Sequence, residues 1–417
     1  MEIAVQREQP HPGADDMPGS VNNDAAFRDE ARAWLAANFP PSLAGVDVVA
    51  INAVGPIDGD ALVWKQRMGA KGWGAPTWPR EYGGGGLAAA QAAILQQEMA
   101  AIGARNPIGT MGINILGPTL LEFGNEAQKQ KHIPAICRGT SRWCQGYSEP
   151  GAGSDLASLQ TRAEDKGDHF LVNGQKVWTS GAQYADWCFC LVRTDPRNKH
   201  EGISFLLIDM KTPGVEVRLI KLISGDSPFC ETFLTDVVVP KENLVGPLNG
   251  GWTIAKRLLQ HERSGHHFVG LANGRVGRTG EVTPLDVLAK TYIGVDDDGR
   301  IADADLRSRL VRHQMEVRAF MLTMARNQAE AKRNGGPSNA ASIMKNVGAK
   351  IGQDRAELAM EIIGLSGLGR AGDGFAPDEL ATTRQWLNGK ASTIYGGTTE
   401  IQNNVIAKRI LGLLDHQ

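Results

Sequence analysis

The sequence predicts an α+β protein in three consecutive parts: an all-α N-terminal domain, an antiparallel β middle domain and a C-terminal α-helical bundle. Three observations carry this reading. Apolar residues recur at helical spacing from Asp24 to about Gly139; short β-branched and aromatic runs separated by turn dipeptides crowd the stretch after Arg142; helical periodicity returns beyond Gly250 and continues to Leu414. With 417 residues, 42% hydrophobic and 22% charged, the chain is long enough to divide into two or three domains with sizeable cores.

Residues 1–23 are polar and rich in Pro and Gly, without the charged start and apolar middle of a signal peptide, and read as a mobile arm. The helical domain, 24–140, opens with DAAFRDEARAWLAANF, where Asp24 is the expected N-cap and Phe27, Ala31, Trp34, Leu35 and Phe39 mark one face. A second helix follows the glycine run in GGGGLAAAQAAILQQEMAAIGA, and a third, NEAQKQKHIPAIC, takes Asn125 as its cap. The β domain, 141–245, is read from HFLVNGQKVWTSG, ADWCFCLVRTD, GISFLLIDM, GVEVRLIKL and ETFLTDVVVP, each closed by a turn signal. The C-terminal domain, 246–417, is helical apart from a loop-like TYIGVDDDGRIADAD.

Several function classes fall away. A formal net charge of −2 with no long basic run leaves no electrostatic footprint for nucleic acid. Every apolar stretch is broken well short of the ~20 residues of a membrane span. Five cysteines, Cys137, Cys144, Cys188, Cys190 and Cys230, form no CxxC pair, which suits reduced thiols in a cytoplasm, packed as small apolar residues. The glycine run 83–86 lacks the Lys-Ser/Thr of a P-loop. HERSGH places His261 and His266 at i and i+5, where they diverge on a helix, so no metal site is expected.

Two stretches carry chemistry. WCQGYSEPGAGSD, residues 143–155, is a loop of small residues whose backbone amides are free to approach an anion, with hydroxyls at Tyr147, Ser148 and Ser154. By itself it reads first as a plain turn. In GGWTIAKRLLQHERSGHHFVGLANG, Ile254, Leu258, Gly265 and Val269 mark the inward stripe of one helix, and Glu262 falls on that stripe. A carboxylate there is a buried ion pair with an arginine, a solvated residue at the stripe's edge, or a catalytic base.

WCQGYSEPGAGSD, NGQKVWTSGAQYADW and IYGGTTEIQ, in this order and in a helix, sheet, helix setting, resemble the acyl-CoA dehydrogenase family. WPREYGGGG and GISFLLIDMKTPGV extend the resemblance over residues 27–414. It looks closest to the bacterial large-subunit branch that handles pimeloyl-type or steroid side-chain thioesters. The resemblance implies FAD as cofactor and α,β-dehydrogenation of an acyl-CoA to the trans-2-enoyl-CoA. It also implies an electron-transferring flavoprotein as acceptor and assembly as a homo-oligomer (dimer or tetramer) or as a heterotetramer with a related subunit. Carried over by position, Gln145, Tyr147, Ser148, Gly153 and Ser154 line the flavin, with Ser148 at its pyrimidine end and Ser154 also beside the substrate. Trp178, Thr179 and Ser180 cover the other face, where an indole excludes water and stacks. Thr398 and Glu400 match contacts to the adenine or pyrophosphate part. Glu361, in EIIGLSG, replaces a glutamine that reaches a neighbouring subunit's flavin, and between Thr283 and Gln314 no residue matches the family's Arg-x-x-Phe-Gly.

The chemistry requires a carboxylate to remove the α-proton and donors for the carbonyl oxygen. The family often places that carboxylate after the C-terminal tyrosine, where this chain has Gly396. Its isovaleryl and long-chain branches place it instead on the helix that here carries Glu262, immediately before an arginine matched by Arg263. The resemblance thus implies Glu262 as base, Arg263 holding the substrate or the active-site backbone, and the Gly396 N–H as donor to the thioester carbonyl. Two other readings stand beside it: an acyl-CoA oxidase on the same fold, and a largely structural subunit of a hetero-oligomeric dehydrogenase.

Overall fold

The structure, a computed structural model, describes residues 18–49, 55–109, 111–264, 283–334 and 341–413. Helix α1 (Pro18–Asn38) begins before Asp24. Asp24 therefore lies within the helix and does not cap it; Pro18, whose fixed φ suits a first helical position, stands at its start. The expected face is buried: Phe27, Ala31 and Leu35 join Trp64 and Met68 of α2 (Gly59–Lys71) and Leu95 and Met99 of α3 (Ala89–Ala101) in one core. Helices α4 (Gly117–Phe123) and α5 (Glu126–Cys137) complete this part. Asn125 caps α5 as the sequence suggests: its side chain accepts from the Gln128 N–H at 2.9 Å while the Gln128 side chain accepts from the Asn125 N–H at 3.1 Å. Gln128 Nε2 also donates to the carbonyls of Glu242 and Leu244, both at 2.8 Å, pinning the helices to the end of the sheet.

The sheet contains β1 (Trp143–Gly146), β2 (Arg162–Asp165), β3 (His169–Ser180), β4 (Trp187–Arg193), β5 (Ile203–Asp209), β6 (Val215–Ile220), β7 (Phe229–Pro240) and β8 (Leu244–Val245), in the order β6-β7-β3-β2-β4-β5-β8 with β1 beside β4. Most pairs are antiparallel, but β1 and β2 both run parallel to β4. β1 faces residues 187–190 and β2 meets Arg193, while β5 occupies the other edge of β4 along its whole length. The two segments thus follow one edge of β4 end to end, and residues 147–161 are an excursion between them. This is why the small-residue loop projects from the sheet.

Strand β4 is buried on both faces, and its alternation sorts side chains into two cores. Phe189 and Leu191 pack with Leu116, Leu120, Ile133, Ile254 and Leu258, whereas Cys188, Cys190 and Val192 pack with Val172, Leu206 and Val237. All five cysteines are buried and unpaired.

Helices α6 (Gly251–Ser264), α7 (Leu285–Tyr292), α8 (Ala304–Asn334), α9 (Ala341–Ile363), α10 (Pro377–Gly389) and α11 (Thr399–Val405) form the C-terminal part. Ile254 and Leu258 of α6 are buried against the sheet, as their spacing requires; Gly265 and Val269 lie outside the described residues. The expected loop after α7 is a tight reversal closed by a bridge between Val295 and Ile301. Among the described residues no helix is long and apolar enough to cross a membrane.

Candidate active site

The excursion between β1 and β2 is fastened to β3 by consecutive residues. Glu149 and Ala152 exchange backbone hydrogen bonds of 2.9 and 3.0 Å across Pro150-Gly151, so SEPGA is a tight turn. The Val177 N–H donates to the Ser148 carbonyl at 2.9 Å. Lys176 Nζ donates to the Tyr147 carbonyl at 3.2 Å and to Glu149 Oε1 at 2.7 Å, and Glu149 accepts further from the N–H groups of Gln160 (2.6 Å) and Thr161 (2.9 Å). Burial pushes the Glu149 carboxyl up, but the adjacent Lys176 ammonium and these donors outweigh it and hold it below the ordinary carboxylate range. The loop and the strand carrying Trp178 are thereby one unit.

One residue beyond Val177 the ladder breaks. The β3–β7 register shifts between Lys176 and Thr179, and Trp178 sits in the left-handed region at φ 61°. For a bulky residue this costs about 1–3 kcal/mol and persists only where the surroundings impose it. Its indole turns outward, 55% exposed, and lies nearly perpendicular to the Phe229 ring at 6.1 Å between centroids. Thr179 next to it is wholly buried, with Oγ1 unpartnered among the described residues, and Ser180 is half-buried opposite Phe229. Gln145 is half-buried on β1 opposite Phe189. Tyr147 packs its ring edge-on against Phe189 and Phe205 within the core, so what it presents to the loop is its backbone. Gly153 and Ser154 are exposed, and a Cβ added at Gly153 meets nothing within 4 Å. A hollow of about 470 Å³ beside the loop is walled by Pro150, Ser158, Gln160 and Gln175 and includes neither Ser148 nor Trp178, so it does not mark the site.

The C-terminal motif forms a turn held by backbone. Gly396 and Gly397 have φ of 65° and 89°, conformations that favour glycine, and buried Gln402 donates Nε2 to the Gly396 carbonyl at 2.8 Å. Thr398 N-caps α11, its Oγ1 accepting from the Ile401 N–H at 3.2 Å. Burial pushes the neighbouring Tyr395 hydroxyl up to about 12. Glu400 is exposed, its carboxyl lowered by its own N–H, the Thr398 hydroxyl and the Lys345 charge. This part meets the β domain at the hairpin between β6 and β7, where Arg370 Nη1 donates to the Ile223 carbonyl at 2.6 Å and Asn388 Nδ2 to Asp226 Oδ2 at 3.4 Å.

Glu361 ends up paired within the chain. Arg309 of α8 grips both its oxygens, Nη1 to Oε1 at 2.6 Å and Nη2 to Oε2, which lowers the carboxyl and raises the guanidinium. Arg307 likewise reaches Asp296 Oδ2 at 3.3 Å. Glu262 and Arg263 fall in the last turn of α6, and their side chains lie outside the described residues. Sequence reasoning passed over Glu149, Lys176 and Arg309. A signal for Lys176 existed: it continues the inward phase of Phe170 and Val172, and a lysine in that phase demands a carboxylate.

The chain matches "Acyl-CoA dehydrogenase, N-terminal domain" over residues 22–140, "middle domain" over 144–237 and "C-terminal domain" over 249–411. It belongs to the acyl-CoA dehydrogenase family. Among acyl-CoA dehydrogenases it is 37% identical to "Acyl-CoA dehydrogenase IpdE1" of Mycobacterium tuberculosis over 93% of this chain and 97% of that one. It is 39% identical to "Acyl-CoA dehydrogenase FadE34" of the same organism over 81% of this chain and 44% of that protein. The solved ChsE4-ChsE5 complex from Mycobacterium tuberculosis superposes with a TM-score of 0.71 at 30% identity, covering 97% of this chain and 100% of that one. A steroid acyl-CoA dehydrogenase, Tcur3481-Tcur3483, gives a TM-score of 0.69 at 29% identity over 96% and 99%. Acyl-CoA dehydrogenases are flavin-dependent oxidoreductases, and the helix, sheet, helix order is that of their fold.

Proposed function

We propose that this acyl-CoA dehydrogenase converts an acyl-CoA thioester to its trans-2-enoyl-CoA with FAD, Glu262 removing the α-proton. The observation that carries the reading is the junction of residues 147–149 with 176–178, which places Ser148 and the outward-turned Trp178 on one rigid unit. The residues fit a flavin. Gly153 leaves the loop backbone open without any need for a glycine from its own packing, and Trp178 holds a strained conformation at the break in the β3–β7 ladder that turns its indole outward. FAD held there would supply the acceptor for the β-hydride.

The chain's own residues do the rest. Gln145, Tyr147, Ser148, Gly153 and Ser154 would offer backbone and hydroxyl donors; Trp178 and Ser180, with Thr179 buried behind them, would cover a ring face and exclude water; Thr398 and Glu400 would hold the dinucleotide's far end. The Gly396 N–H, in a turn fixed by Gln402, donates to the thioester carbonyl as negative charge grows there. Glu262, a turn beyond buried Leu258, takes the proton, and Arg263 steadies the substrate or the backbone around it. A steroid or pimeloyl-type side chain is the proposed acyl group, supported by the steroid enzyme among the structural relatives. Electrons leave to an electron-transferring flavoprotein, and the five unpaired thiols suit a reducing cytoplasm. Among the described residues no cluster of His, Cys, Asp or Glu could hold a metal ion.

The purified protein is expected to be yellow and to bleach on addition of acyl-CoA, with Glu262→Gln slowing bleaching about 10²–10⁴-fold. Bleaching by Glu262→Gln at the parental rate rejects the assignment of the base. Turnover with air as sole acceptor would mark an oxidase.

A second reading is favoured by the engagement of Arg307 and Arg309 within the chain, which leaves neither free for a neighbour's pyrophosphate. In that reading the chain is one subunit of a hetero-oligomer, as in the ChsE4-ChsE5 complex. A colourless chain that gains flavin and activity only with a second, related polypeptide would establish it.

A further inference from the structure

Among the described residues, Glu149–Lys176 is an ion pair with both side chains more than nine-tenths buried, at 7% and 1% exposure. Stability does not account for it, because an apolar pair of similar volume serves as well or better in a core. What an apolar pair lacks is direction. Lys176 Nζ reaches the Tyr147 carbonyl at 3.2 Å and Glu149 Oε1 at 2.7 Å, while Glu149 receives the Gln160 and Thr161 N–H groups at 2.6 and 2.9 Å. These bonds gather both ends of the excursion 147–161 onto one point of β3, two residues before Trp178. The next residue, Val177, holds the Ser148 carbonyl, and immediately afterwards the strand leaves its register and Trp178 takes a positive φ.

We propose that Glu149 and Lys176 are positioning residues for the flavin site, clamping the Ser148 loop and the left-handed turn at Trp178 so that both flavin-facing segments move as one body. The inference rests on the flavin reading above. It assigns the pair no contact with substrate or cofactor: Glu149 and Lys176 act through the backbone at 147–148 and 177–178.

The test uses the full chain, with FAD as probe. The double variant Glu149→Gln/Lys176→Met removes both charges together and leaves neither ion uncompensated, so it is expected to unfold cooperatively like the parent. It should bind FAD roughly 10–100-fold more weakly, the scale of lost hydrogen bonds to charged groups, and show an altered visible circular dichroism of the bound flavin at saturation. The comparison variant is Glu98→Gln, which breaks a similarly buried carboxylate's pair with Arg32 (2.7 Å) and Arg28 in the helical domain. It should lower Tm and leave FAD affinity and dichroism at parental values. A folded double variant with parental affinity and dichroism overturns the proposal, as does an equal loss of FAD in Glu98→Gln. If the double variant does not fold, the single Glu149→Gln, which keeps the shape and an acceptor for Lys176, is judged by the same two readouts. A parental chain that takes up no FAD at saturation rejects the flavin reading itself, whereas a flavin-binding parent with an unaffected variant rejects the clamp alone.

Discussion

The two halves of the site are built by different means. In the β half, Lys176 and Glu149 neutralise one another in the core and bind the loop to the strand by directed bonds. In the C-terminal half, Lys345 is wholly buried with no hydrogen-bond partner among the described residues, and Glu361 is spent on Arg309 at the surface. Burial lowers the Lys345 ammonium, and the Glu400 charge opposes this without a bond between them. Shape there comes from backbone, from two glycines at positive φ and one glutamine. The β half balances its buried charges within one chain. The C-terminal half keeps its form while leaving the buried Lys345 ammonium without a carboxylate bonded to it among the described residues.

The largest effect should come from breaking the β half at its charge. Lys176→Met strands the Glu149 carboxylate in the core and is expected to cost roughly 3–5 kcal/mol in denaturant unfolding; a loss below about 1 kcal/mol would mean that water reaches the pair. Acid probes the same half at its root. His132 of α5 packs its ring against Trp143 and Trp187, at 5.2 and 4.8 Å between centroids, where the helices meet β1. Burial, with a smaller push from Lys131, drops its imidazole from 6.5 to about 4. The folded state thus favours neutral His132 while the unfolded state takes up a proton. Its contribution is present above pH 6.5 and is lost as pH falls toward 4. That shift is visible as a slope in stability between those values, which His132→Gln should flatten.

Most of the fold was legible because the signals were local. Phe27, Ala31 and Leu35, the Asn125 cap, and the short apolar run WCFCLVR each depend on near neighbours in sequence, and the structure keeps them. What escaped depends on long-range pairing. Nothing beside Glu149 shows that its partner is Lys176, or beside Glu361 that Arg309 of another helix meets it. The edge of β4 that β1 and β2 share is the one β5 leaves open, and nothing in their own residues shows it. At the site, the SEPGAGSD loop and Trp178 were legible as motifs, but the left-handed backbone at Trp178 was not, since strand periodicity argues against it.

The C-terminal half should answer more gently. In Gly396→Ala the new methyl meets nothing within 4 Å, so the cost is the left-handed backbone alone, roughly 1–2 kcal/mol in denaturant unfolding. Steric repair by a neighbouring substitution should not recover it. The smallest change is expected for Glu361→Gln. The Arg309–Glu361 pair has side chains 38% and 52% exposed, and solvent-screened pairs contribute less than about 1 kcal/mol, so Tm of the isolated chain should scarcely move. FAD retention in the assembled protein should nevertheless rise, because removing the carboxylate leaves the Arg309 guanidinium, among the described residues, only the exposed Asp305 at 3.6 Å and frees it to turn toward any pyrophosphate presented across the interface. Unchanged retention would show that this surface faces no cofactor, and would make the C-terminal half as self-contained as the β half.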